Sequence, residues 1–429
     1  MSAPDPAQLP QNPLARYNSI GIILAGGGAK GAYQAGALSA IHDFLTKHNA
    51  HAKVRMIAGT SIGSWNALFW LAGLVGETKD SVVNLEKWWS TLSLRTLVRP
   101  AFYLPGLRNY FLTSSPWRRT FQTLFASDAT TSARLLRHIQ DPGGARSMRF
   151  YFTRSDVAGA RLAVTTNRTD LGRLPANLPT REWLAGTRRV DAYVAQDLDD
   201  LASAVFSSMD LPPVFQYSRI KDQYYEDGGV IENLPIQFGT EAEQCDLLFI
   251  VPLNATFSKD IHHRSIIRRL RRIMDVRQGV IERNSFKMIY LYNELAALRQ
   301  RAEELEHLAH RAYAALAGQA EDPHVNELLH ELEQAAGPRL KGESAEEVPM
   351  AERALIRRHR RVQVFAICPA PRLAVNTLDF WKKRAAGEAF RLMRDVTAIE
   401  LEKYFALPPD YVRVALVGPN RDVVYLEEF

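Results

Sequence analysis

The chain has 429 residues, 46% of them apolar, with 53 basic and 47 acidic side chains for a net charge of +6. This is enough for a sizeable buried core, in one large α/β domain with an appendage or in two domains. Cys245 and Cys368 sit in apolar runs without metal-ligand spacing, which excludes a disulfide scaffold and predicts buried thiols in a reducing compartment; no stretch has the roughly 18 uncharged apolar residues of a membrane span.

Residues 1–18 lack the basic-then-apolar pattern of a signal peptide and read as a flexible leader. Ser19–Ala25 is a short apolar strand running into Gly26-Gly27-Gly28-Ala29-Lys30-Gly31. Tyr33, Ala37, Leu38, Ile41 and Leu45 recur at helical spacing, and the apolar run Val54–Ala58 predicts the next strand. Such a β-loop-α-β unit implies parallel strands in a buried sheet. Gly59-Thr60-Ser61-Ile62-Gly63 comes next and opens a helix over 62–75.

Residues 82–150 are aromatic, with Trp88, Trp89, Phe102, Tyr103, Tyr110, Phe111 and Trp117. Two readings stay open for them, core anchors of covering helices or the wall of an acyl pocket. Arg149–Thr153 and Ala160–Thr166 predict a hairpin, Leu201–Phe206 a helix broken by Leu211-Pro212-Pro213, and Gln223–Glu226 a strand ending in Asp227-Gly228-Gly229. Later strands are expected at 246–252, 361–367, 412–417 and 423–426.

Between 252 and 361 lies a long insertion. His262 to Arg283 alternates arginines with Ile266, Ile267, Leu270, Ile273, Met274, Val280 and Ile281. It reads as a helix packing its apolar side on the sheet, or as one docking on anionic lipid. Leu291, Leu295, Leu298, Ala302, Leu305, Ala309, Ala312 and Leu316 form a heptad seam, and Val325, Leu328, Leu329 and Leu332 a second short helix. This hairpin packs on its own chain or makes a homodimer through 286–336. Residues 337–348 read as a charged loop.

The chemistry starts from two glycine-rich motifs. A G-x-S-x-G elbow turns a strand sharply into a helix and exposes a strained serine hydroxyl, here Ser61, with Gly59 and Gly63 leaving the room. A loop without side chains lets backbone N–H groups converge on one developing negative charge. Ser61 needs a base. None of the 11 histidines lies on a turn after a late strand, where an α/β-hydrolase would place one. Asp227 is the candidate, with Gly228 and Gly229 freeing its carboxylate to approach another backbone. Its ordinary pKa of about 3.9 is too low, so burial beside Ser61 must raise it. A plain Asp-Gly turn is the bland alternative.

The ordered set GGGAKG, GTSIG and DGG, with AVFSSMDLPPV at 204–214 and Asn233-Leu234-Pro235, resembles the patatin-like phospholipases over most of residues 19–252. The insertion lies outside the shared pattern. The resemblance implies an α/β/α sandwich with a mostly parallel central sheet, to which the heptad spacing adds the helical, coiled-coil-like insertion. It divides the chain into a leader (1–18), a catalytic core (19–260), the basic helix and helical hairpin (261–360) and C-terminal strands and helix (361–429). It further implies a Ser61–Asp227 dyad without histidine, metal or cofactor. The oxyanion would be held by Gly27 and Gly28 with Ile62, on a loop that includes Gly26, Lys30 and Gly31. Lys30 would brace the loop or attract a phosphate headgroup. The expected partner is a lipid or phospholipid ester, in the cytoplasm or at the periphery of a membrane through 262–283, with no nucleic acid.

Two other classes compete. Gly26, Gly28 and Gly31 also satisfy the G-x-G-x-x-G of a dinucleotide-binding oxidoreductase, but the second strand ends in Ala58-Gly59-Thr60-Ser61 without the acid that motif requires. A P-loop fails because no Gly-Lys-Ser/Thr follows. A non-catalytic lipid-binding scaffold on the same fold sits poorly with an intact serine, aspartate and glycine loop.

Overall fold

The computed structural model describes residues 12–76, 84–101, 110–144, 147–170, 181–185, 188–220, 223–254, 266–317, 324–325, 327, 330, 361–370, 373, 375–377, 379–407 and 412–426. By its internal contacts the chain divides into two units, Met1–Ile289 with Val362–Phe429, and Tyr290–Arg361.

The first unit opens with β1 (Ile20–Leu24), α1 (Gly31–Lys47), β2 (Val54–Thr60) and α2 (Ile62–Leu71). Short elements follow: α3 (Leu85–Thr91), α4 (Leu94–Leu97), the small ribbon β3 (Arg99–Pro100) and β4 (Leu112–Thr113), α5 (Ser115–Phe121) and α6 (Ala129–Gln140). Then come β5 (Arg149–Asp156), β6 (Arg161–Thr166), β7 (Arg181–Ala185), β8 (Arg188–Val194), α7 (Leu198–Ser208), β9 (Ser218–Ile220), β10 (Gln223–Asp227) and β11 (Leu247–Val251). The helix α8 (Ile266–Ala317) leads out of this unit, and β12 (Gln363–Pro369), α9 (Lys383–Ala406), β13 (Val412–Val417) and β14 (Val423–Tyr425) complete it.

Twelve strands form one sheet in the order β14-β13-β12-β11-β1-β2-β5-β6-β8-β7, with β10 on β5 and β9 on β10. From β13 to β5 every pairing is parallel, and the antiparallel strands lie at the margins. β1 and β11 are buried along their whole length, the unbroken apolar run of a strand covered on both faces. The hairpin expected at 149–166 forms, its first strand three residues longer than expected. β7 and β8 have no counterpart among the expected strands, because charged and apolar residues mix there without period.

One face of the sheet carries α1, α2 and α9. A Cβ on Gly36 would overlap the Phe390 carbonyl, so α1 and α9 approach backbone to backbone. α2 is buried on all sides, which its uniformly apolar sequence requires. Around it Trp65 meets Trp88, Trp117 and Phe125 at ring separations of 5.3, 5.3 and 5.5 Å. Trp88, Trp89 and Trp117 are therefore core anchors, while Phe102 and Tyr103 lie outside the described residues. Both cysteines are buried free thiols.

In the part of α8 in this unit Ile273 and Val280 do not pack on the sheet, while the side chains of Ile266, Ile267, Leu270 and Met274 lie outside the described residues. Ile273, Val276 and Val280 are exposed, whereas Gln278, Glu282 and Ser285 are buried, with Phe286 and Ile289 below them. The inner face meets the loops that end β1 and β11, whose buried carbonyl and amide groups need polar partners. Periodicity located an amphipathic helix but not what lies beneath it.

In the second unit α8 continues to Ala317, and Leu291, Leu295 and Leu298 of the heptad seam are exposed. The side chains of the rest of the seam, most of the second helix and the charged loop lie outside the described residues. Among the described residues no helix is long and apolar enough to cross a membrane.

Candidate active site

β2 ends at Thr60, in register with Thr153 of β5. β5 continues for three residues, and β10 arrives antiparallel with its last residue, Asp227, opposite Arg154. β6 occupies the other edge of β5 over the same residues, so β2 and β10 share one edge and their ends meet head to head. That junction brings Ser61 and Asp227 together across 166 residues of chain.

Ser61 turns out of β2 at φ 53° and ψ −124°, a backbone region a residue with a Cβ rarely enters. Strain of this kind costs on the order of 1–3 kcal/mol and persists only when the surroundings hold it. Three contacts hold it here. The Ser61 N–H donates to Ser208 Oγ at 2.7 Å. The Ser64 hydroxyl donates to the Ser61 carbonyl at 2.6 Å. Gly63 lies so close to the Leu24 carbonyl that a Cβ would overlap it, and a Cβ on Gly59 would lie 2.6 Å from the Ser64 nitrogen.

Ser61 Oγ donates to Asp227 Oδ2 at 2.5 Å, and Asp227 Oδ1 accepts from the Gly229 N–H at 2.8 Å. The Asp227 backbone is held on both sides, its N–H by the Asp210 carbonyl at 3.0 Å and its carbonyl by the Ser155 hydroxyl at 2.9 Å. Asp227 is 2% exposed and Ser61 8%, so the carboxyl is almost sealed from water. Burial pushes its pKa from 3.8 up to about 7, against the lowering effect of the bonds from Ser61 and Gly229. A carboxylate with that pKa is as good a base as an imidazole. Gly228 packs on Thr153, where a Cβ would lie 2.5 Å from Oγ1, and Gly229 packs on Asn233.

The glycine loop lies against this pair, since a Cβ on Gly26 would be 3.0 Å from that of Ser61. Gly26 itself is tied down. Its N–H donates to the Asn233 carbonyl at 3.4 Å, and its carbonyl accepts from the side-chain amides of Asn233 and Asn254 at 3.2 and 3.3 Å. The Ala29 N–H donates to the Thr377 carbonyl at 2.8 Å and that of Lys30 to the Gly27 carbonyl at 3.2 Å. No hydrogen bond among the described residues takes the N–H of Gly27 or Gly28. Gly28 has φ +57°, and a Cβ there would overlap the Thr377 carbonyl oxygen. A Cβ on Gly31 would lie 2.5 Å from Ile62 Cγ1, which seats the loop on the first turn of α2.

A sequence profile described as Patatin-like phospholipase matches residues 22–238, just over half of the chain, from within β1 to beyond β10. The chain belongs to the patatin-like phospholipase family. At that level it is a lipid acyl hydrolase. Comparison with curated proteins gives no match. Among solved structures, VipD from Legionella pneumophila aligns over 92% of this chain and 72% of its own, with 11% identity and a TM-score of 0.35. The ExoU–SpcU complex from the type III secretion system of Pseudomonas aeruginosa aligns over 90% and 78%, with 14% identity and a TM-score of 0.24. Superpositions that loose carry no weight for either fold or function.

In this member of the family the glycine loop is braced from α8. Lys30 Nζ donates to Asn254 Oδ1 at 2.5 Å and pairs with Asp275 at 3.3 Å, and Thr377 Oγ1 donates to the same Asp275 oxygen at 2.9 Å. Glu282, fully buried, accepts from the Asn233 side-chain amide at 2.6 Å and from the Asn254 N–H at 2.7 Å. Burial pushes its pKa up to about 7, partly offset by the Asn254 N–H and Lys30. Sequence reasoning missed Ser208, Asn254, Asp275 and Glu282. Each lies far along the chain from the group it holds; Ser208 falls within the 204–214 segment that carries part of the resemblance, and the other three sit in no short motif.

Proposed function

We propose that this chain is a serine acyl hydrolase that cleaves fatty-acyl esters of phospholipids or related lipids through Ser61 and Asp227. Ser61 Oγ attacks the ester carbonyl while its proton passes to Asp227 Oδ2. The oxyanion is stabilised by the N–H groups of Gly27 and Gly28, with Ile62 at the start of α2 as a further donor. Collapse expels the alcohol, which takes the proton from Asp227. A water then gives a proton to Asp227 and attacks the acyl-enzyme; collapse breaks the acyl–Oγ bond, Asp227 returns the proton to Ser61 Oγ, and the fatty acid leaves. In this reading the strands on both sides of the insertion build one catalytic body.

The observation that carries the reading is the 2.5 Å bond from a serine at φ 53° to a sealed carboxyl whose pKa burial pushes up to about 7. A structural serine–aspartate pair would gain nothing from a strained backbone or a raised pKa. The test is fatty-acid release from mixed phospholipid vesicles, with fluorophosphonate labelling in the same samples. Wild type should release fatty acid and label at Ser61, and Ser61→Ala should do neither. Labelling at another residue, or release by Ser61→Ala, would refute the assignment.

A further inference from the structure

The segment of α8 from Ile273 to Ile289 has two faces of opposite character. The inner face holds the glycine loop, through Asp275 on Lys30 and Glu282 on Asn233 and Asn254. The outer face presents Ile273, Val276, Arg277, Val280, Lys287 and Met288, all exposed and spaced by threes and fours along one stripe. Ile273 is 64% exposed, far beyond a residue in contact with a core.

Charge is sorted between the faces. From 264 to 288 the sequence has eight basic residues and two acids, Asp275 and Glu282. Both acids face inward, so the outer stripe holds aliphatic and cationic groups without an anion. Cations alone would suit any polyanion. Branched aliphatics interleaved with them on one helical stripe suit a surface with an anionic layer above an apolar one.

We propose that the outer stripe of α8 is an adsorption surface for an anionic lipid bilayer. The proposal deepens the acyl-hydrolase reading and rests on it for its purpose: the helix that touches the bilayer is the one that holds the oxyanion loop. Adsorption then holds the bilayer about 10 Å, one helix diameter, from the glycine loop. Arg277, which also donates to the Val230 carbonyl beside the Asp227 turn, joins the stripe to the second half of the site.

The test is sedimentation of the full chain with phosphatidylglycerol–phosphatidylcholine vesicles and with pure phosphatidylcholine vesicles. Wild type should partition onto the anionic vesicles roughly tenfold more strongly, and the excess should vanish at about 0.5 M salt. Ile273→Ser with Val280→Ser should lower partition roughly tenfold at an unchanged melting temperature. Should that pair fail to fold, Lys287→Glu carries the test, with an expected loss of about fivefold or more. Ser61→Ala should bind as wild type, so a dead active site and a missing docking surface give different results. Wild-type partition of the serine pair, or equal binding to neutral and anionic vesicles, would overturn the proposal. So would a serine pair that weakens self-association while vesicle binding stays intact, since the stripe would then belong to a second copy of the chain.

Discussion

Replacing Asp227 by Asn should make the protein more stable in alkaline buffer while it abolishes hydrolysis. The carboxyl is raised from 3.8 to about 7 chiefly by burial, so ionising it in the folded state is unfavourable. The folded state binds more protons than the unfolded one between those two values, so the contribution of Asp227 to stability falls as pH rises through that window. With about 1.4 kcal/mol per pKa unit, the loss comes to about 2 kcal/mol at pH 5 and about 4 kcal/mol at pH 8.5. Asparagine is nearly isosteric and never ionises, so its contribution is flat. The stability gap between variant and wild type should therefore widen by about 2–3 kcal/mol from pH 5 to pH 8.5. Any constant cost from a misoriented bond to Ser61 or Gly229 cancels in that difference. Urea unfolding followed by tryptophan fluorescence is suited to the measurement, because all 7 tryptophans lie in the first unit, from Trp65 to Trp381. Glu282, also raised to about 7, is present in both proteins and drops out to first order, whereas Asp210, raised to about 7 chiefly by burial and in part by the charge of Asp227, relaxes in the variant and widens the gap in the same direction. A gap that stays constant across the range would refute the argument that burial sets the basicity of Asp227.

The same shift gives a rate prediction: kcat/KM on a short-chain ester should fall about tenfold per pH unit below about 7 and level off above it, since only ionised Asp227 accepts the proton. A plateau that extends to pH 5 would remove Asp227 as the base. Ser208→Ala leaves the buried Ser61 N–H without its acceptor, so urea unfolding should show a loss of about 1–3 kcal/mol and the esterase assay a lower kcat than wild type. Gly28→Ala places a methyl group on the Thr377 carbonyl at a positive φ, so the loop must move; activity should drop on the order of 100-fold, as for loss of one oxyanion donor, and wild-type turnover would clear that loop of any role.

The parts of the site legible in the sequence are those that backbone sterics force into the residue choice. Ser61 was visible because an elbow at φ 53° needs Gly59 and Gly63 around it, and Asp227 because Gly228 and Gly229 must clear Thr153 and Asn233. The parallel centre of the sheet was legible from its unbroken apolar runs, whereas β7 and β8 carry no such signal. Ser208 and Glu282 act through hydrogen bonds to groups distant in sequence, and the chain near them does not say which groups those are. For a related reason the sequence leaves the orientation of α8 open between a helix packed on the sheet and one facing lipid. Hydrophobic periodicity assumes that a helix covers something apolar, and here the covered surface is a set of loop carbonyls and amides.

The single strand β5 measures the distance between nucleophile and base. Thr60 and Asp227 are referenced to Thr153 and Arg154, adjacent residues of one extended chain, so the spacing is set by one rise along a strand and not by the packing of separate bodies. Flexing or twisting of the sheet carries both groups together as a common displacement. The proton's path is thereby decoupled from the breathing of the rest of the molecule, and mutations that loosen distant helices should disturb substrate entry well before they disturb the transfer itself.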